Sequence, residues 1–141
     1  MSTVATLMDT AVADVELLRS LDANGDDFSI PRDVEFLMPG PSAEKASIVA
    51  GFINDYQYGL ATADQLGEIH RVLVVVHMPI QQHNISCVSG FMACVSLLYG
   101  LEYDGWDALL RSASDANLGW ITLEVALRCA PTTTRQAKIQ G

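Results

Sequence analysis

Strand-like and helical segments alternate along this 141-residue chain in an order that predicts an α+β domain, with helices laid on a sheet. Three observations carry the prediction. The run Val72-Leu73-Val74-Val75-Val76 is apolar at every position, as a central strand is. Two stretches, residues 46–53 and 88–99, repeat apolar residues at helical spacing. Clusters of Gly, Pro and Asn separate these segments from their neighbours.

Taken in order, Val4, Leu7, Met8, Ala11, Val15 and Leu18 follow helical spacing, while Asp9, Asp14, Glu16 and Arg19 lie mostly elsewhere on the wheel. An amphipathic helix therefore opens the chain, and Asn24-Gly25 stops it. Pro31 precedes a stretch in which Val34, Phe36 and Met38 share one side, which is strand spacing, and Pro39-Gly40-Pro41 ends it. Ser42 is placed to cap a second helix, with Glu44 in its first turn and Ala46, Val49, Ala50 and Ile53 as its stripe. A strand over about residues 56–63 follows, then a break at Gly67 and the strand 71–78. Asn84 is expected to cap a third helix with the stripe Val88, Phe91, Met92, Val95, Leu98 and Tyr99, closed at Gly100 in the left-handed conformation. A fourth strand is expected from Leu101 to about Leu110.

Leaving the first helix aside, the order is strand, helix, strand, strand, helix, strand: the ferredoxin-like βαββαβ sandwich. Helices cover one sheet face in that fold, yet the strand 71–78 is apolar on both. The first helix, already in the chain, is expected to cover the other face, with a second subunit as the alternative. Residues 1–111 make up the expected domain and residues 112–141 a C-terminal extension. Within the extension Ile121, Leu123, Val125, Leu127 and Cys129 fit a strand, whereas Leu118, Ile121, Val125 and Cys129 fit a helix equally well, and the residues after Pro131 read as a frayed terminus.

Composition narrows the function. Half of the residues are apolar, which excludes a disordered body. Seventeen acidic residues against eight basic ones leave a net charge of -9, which argues against a nucleic-acid surface and for a basic protein partner. The charge is uneven: up to Leu110 there are 15 acidic and four basic residues, net -11, and from Arg111 onward four basic and two acidic, net +2. Cys87 and Cys94, seven positions apart on one predicted helix, are too far apart to bridge, and with Cys129 they read as reduced thiols. No basic cluster precedes the first apolar residues and no run is long enough to span a bilayer, so a cytoplasmic location is expected.

Several segments invite chemistry. Asp22-Ala23-Asn24-Gly25-Asp26-Asp27 places carboxylates or amides at three early positions of a calcium loop, but Gly25 falls two places early and strand spacing follows where a helix is required. A capped turn is the better reading. His70, His77 and His83 have no tight ligand spacing, and an acid-base pair of His77 with Asp104 lacks a nucleophile or anion hole. Ser86 and Ser89 read as capping residues, since no glycine-rich phosphate loop accompanies them. No cofactor and no metal are expected. The pentapeptide Glu102-Tyr103-Asp104-Gly105-Trp106 stands apart: aromatic rings with polar tips beside two carboxylates read as a surface or its rim.

Asn24-Gly25-Asp26, Pro31-Arg32-Asp33-Val34-Glu35-Phe36, Gly51-Phe52, Val76-His77 and the closing Gly100-Leu101-Glu102-Tyr103-Asp104-Gly105-Trp106 together resemble the regulator of ribonuclease E activity B family over about residues 10–110. The resemblance implies a ferredoxin-like domain that is not an enzyme and that binds ribonuclease E away from its catalytic centre, on a segment rich in arginine. Its likeness ends where familiar members carry an acidic tail and this chain continues into an apolar, mildly basic segment. The expected function is a protein-binding regulator that inhibits a ribonuclease E type enzyme, with Asp26, Asp27, Arg32, His77, Tyr103, Asp104 and Trp106 as contacts. For these seven the structural alternative is that Arg32 pairs with Asp104 across neighbouring strands while Trp106 closes the edge of the core. The functional alternative is a ferredoxin-like module that senses a small molecule as a dimer.

Overall fold

A computed structural model describes residues 2–112 of the chain. Helix α1 (Thr3–Ala23) leads into β1 (Arg32–Gly40), α2 (Ala43–Asp55), β2 (Leu60–Leu66), β3 (Ile69–Met78), α3 (Gln82–Tyr99) and β4 (Trp106–Ala108). The four strands form one antiparallel sheet in the order β2-β3-β1-β4, so the fold is the α+β, ferredoxin-like arrangement with a helix added in front. The predicted C-terminal extension lies outside the described residues.

Alternation along β1 and β3 sets the core. Val34, Phe36 and Met38 pair with Val76, Val74 and Val72 and point toward the helices, and all of these except half-buried Val76 are fully buried. Helix α2 adds Ala46, Val49 and Ile53, and α3 adds Ile85, Met92 and Val95. Ser42 caps α2 as expected, its Oγ accepting from the Lys45 N–H at 3.2 Å. Gly100 ends α3 at φ 70°, the left-handed turn its missing side chain permits.

Four local expectations are corrected. Helix α2 runs to Asp55 and a turn follows in which Gln57 takes φ 61°, so β2 starts at Leu60 rather than near Tyr56. Helix α3 starts at Gln82, so Asn84 lies inside its first turn and Gln81 caps it without a side-chain bond. The fourth strand is confined to Trp106–Ala108. Residues 101–105 still run beside β1, through Glu102 N–H to Pro39 O, Asp104 N–H to Leu37 O and Leu37 N–H to Gly105 O. A regular ladder is prevented there because Pro39 has no N–H to return and Gly105 turns at φ 86°.

The fourth correction concerns α1. It packs against α3 and Trp106 on the helical side of the sheet, not on the opposite face. Asp14 explains the choice, since its carboxylate is buried in the packed face of α1 and finds donors there in Ser89 and Trp106. The outer sheet face keeps Leu37, Leu73 and Val75 half-buried and Leu60, Leu66 and Ile69 exposed.

Candidate functional site

Three elements meet at Asp14. Its Oδ1 accepts from Trp106 Nε1–H at 3.0 Å and from Ser89 Oγ at 3.0 Å, and Ser89 Oγ lies 2.7 Å from the Tyr103 hydroxyl. This cluster lets both aromatic rings sink: Trp106 is 1% exposed, with its polar tip satisfied. Burial drives the Tyr103 pKa far above the usual phenol value, the Asp14 and Asp104 carboxylates add to the rise, and the Ser89 bond opposes it. Trp106 thus packs rather than forming a wet rim, because Asp14 meets its polar atom, while Tyr103 is half-buried with its hydroxyl at Ser89. Ser89, expected as a capping residue, is instead a buried member of this cluster.

Above the cluster lies a groove of about 580 Å³. One wall is a face of α1 in which Thr6, Asp9, Thr10, Ala13, Glu16 and Leu17 fall at helical spacing; the other is Tyr103, Asp104, Gly105 and Trp106. Asp9, Glu16 and Asp104 bring carboxylates to it, and none of the described residues that line it is a Lys or Arg. On the far side of Asp104 a second groove of about 700 Å³ holds Glu68 and Glu102 beside Leu37, Leu66 and Ile69. Asp104 borders both grooves. The cation of the second groove, Arg71, is engaged by Asp64 through two 2.8 Å bonds that hold the Asp64 carboxyl below its usual range.

The seven residues singled out from the sequence separate into three places. Arg32 is buried and grips Asp26 with two bonds of 2.6 and 2.8 Å, Leu109 O at 3.0 Å and Asp27 O at 2.8 Å. The expected pairing of Arg32 with Asp104 is replaced by this pair with Asp26, whose other duty is to accept the Arg111 N–H at 3.1 Å. Asp27 Oδ1 accepts from the Ser29 hydroxyl and from the Ser29 backbone N–H, which lowers the Asp27 pKa. His77 lies on the outer sheet face, 3.0 Å from Asp33. Tyr103, Asp104 and Trp106 form the third group; the Leu37 that holds Asp104 is five residues along β1 from Arg32, roughly 17 Å at strand rise. Among the described residues no cluster of His, Cys, Asp or Glu could hold a metal ion, and no helix is long and apolar enough to cross a membrane.

Asp9, Asp14, Glu16 and Ser89 were not singled out by the sequence reading as site residues. Asp14 carried a signal, a carboxylate four positions before buried Leu18 on the packed stripe. Asp9 and Glu16 carried none, since acidic residues on an amphipathic helix normally face water.

Fold and groove together define an acidic ferredoxin-like protein with a carboxylate-lined groove. Residues 12–108 match the family described as regulator of ribonuclease activity B, and the chain belongs to that family. It is accordingly a non-catalytic regulator of ribonuclease activity. No curated protein sequence matches the chain closely enough to support a comparison.

Proposed function

We propose that this regulator inhibits a ribonuclease E type enzyme in the cytoplasm by holding a basic, arginine-rich segment of it in the groove between α1 and residues 103–106. The observation that carries the reading is the groove itself: Asp9, Glu16 and Asp104 face one space with no cation among the described lining residues. Guanidinium groups suit such a space, pairing with carboxylates in a fork geometry. Asp104 is the central contact because it borders both grooves. Among the residues expected from the sequence, Asp27 and His77 are accessible auxiliary contacts, Tyr103 supports the groove wall, and Asp26, Arg32 and Trp106 keep the frame in shape.

The test is titration of an arginine-rich peptide into the full chain and into the triple variant Asp9→Asn, Glu16→Gln, Asp104→Asn. With exposed charge pairs each contributing about 0.2–1 kcal/mol, the three changes should weaken binding by about 3-fold to 150-fold and flatten its salt dependence. Unchanged affinity in a variant that melts like the parent would overturn the groove as the contact. Inhibition of nuclease cleavage should fall in parallel with affinity.

A further inference from the structure

Helices α1, α2 and α3 lie on one side of the sheet, and the outer face is apolar over its middle. Leu60 stands opposite Val75, and Leu73 is paired with Leu37 on one side and Thr62 on the other. Directly opposed residues share a face, so these side chains form one patch, and the Asp64–Arg71 ion pair separates it from a second apolar rung, Leu66 opposite Ile69. Leu60 is 75% exposed and Leu66 57%. A contiguous apolar area of this kind on a described domain marks a surface that something covers. Carboxylates border it at Asp33, Glu35, Asp64 and Asp107.

We propose that the occupant is residues 113–141 of this same chain. The segment supplies what the patch lacks: Leu118, Trp120, Ile121, Leu123, Val125 and Leu127 crowd into ten positions, and Arg128, Arg135 and Lys138 follow. Residues 2–112 hold 15 acidic and five basic side chains, whereas residues 113–141 hold three basic and two acidic ones, so the two parts attract each other. The point of departure is also fixed. Arg111 is tied to the α1–β1 loop by its N–H to Asp26 and by the Asp27 N–H to its carbonyl at 2.7 Å. Arg32, which grips the same Asp26, starts β1, and its neighbour Asp33 is on the outer face beside His77. The seven residues from Arg111 to Leu118 can extend to about 23 Å, enough to turn around the end of the sheet and reach the patch. Being tethered, the segment competes for the patch at a high effective concentration against any second molecule.

The proposal does not rest on the groove between α1 and residues 103–106, although the outer face shares Leu37, Leu66 and Ile69 with the second groove. The experiment is paramagnetic relaxation in the full-length chain carrying Cys87→Ser and Cys94→Ser, with a nitroxide on Cys129. Amides of Leu60, Thr62 and Val75 should broaden several-fold more than those of Asp9 and Thr10. The double change Leu60→Asp and Leu66→Asp, at exposed positions, should relieve that broadening several-fold while melting stays close to that of the parent. Broadening centred on α1 overturns the proposal, as does the lack of any localised effect. Broadening that appears only on unlabelled molecules mixed with labelled ones assigns the face to a second copy and overturns it equally.

Discussion

At the scale of single residues, two buried polar groups make measurable demands. Tyr103 stays a neutral phenol in the fold, whereas in the unfolded chain it ionises near its ordinary value of 10.0. Above that pH the unfolded state releases a proton that the native state retains, so stability is complete below pH 10 and falls as pH rises beyond it. Melting curves taken in steps through that range should show this decline, and Tyr103→Phe should flatten it; an unchanged slope in the variant would assign the decline to other groups. The Arg32 and Asp26 pair is the second case, with side chains 1% and 0% exposed. Arg32→Ala leaves a carboxylate buried without its cation and should cost about 3–5 kcal/mol in denaturant titration. Arg32→Lys should recover only part, because a lysine cannot reproduce two parallel bonds to Asp26 and reach both carbonyls.

At the scale of elements, the strands β1 and β3 and the helix stripes were legible because burial imposes a strict period on them. What escaped was governed by backbone detail. The α2–β2 connection depends on Gln57 at φ 61°, a conformation unfavourable for a side chain and invisible to hydrophobic pattern. Gln57→Gly should therefore leave stability unchanged or raise it by about 0.5–1 kcal/mol, read as a higher melting temperature; a loss would mean that the side chain makes a contact worth more than the relief. The truncated fourth strand has a similar origin. Residues 101–105 are extended enough to look like strand, but Pro39 opposite them cannot complete the ladder.

At the scale of the whole molecule, the family and the sandwich could be read from ordered motifs, while the candidate groove could not. It forms only because α1 returns to lie beside residues 103–106, contacts separated by most of the chain, as the bond from Trp106 to Asp14 shows. The sequence expectation placed that helix on the opposite face, since an apolar stripe alone does not say which apolar surface it prefers. The buried carboxylate in the stripe decides, because a polar group must find partners and the outer face offers Asp14 no such cluster. Likewise Trp106 looked like a rim residue until a remote acceptor was placed at its nitrogen.

The first half of α1 is held differently from the second. Val4, Met8 and Val12 are 59–66% exposed, whereas Asp14 and Leu18 anchor the later turns against α3 and the core. Part of one groove wall, Thr6, Asp9 and Thr10, is thus carried by the turns whose Val4, Met8 and Val12 are exposed, and such turns open at a lower free energy than the anchored ones. Amide exchange should run measurably faster over residues 5–12 than over residues 14–21. A basic peptide seated in the groove should slow the faster set most, so that affinity and helix order rise together. Equal protection along the whole helix would show instead that the wall is rigid before anything binds.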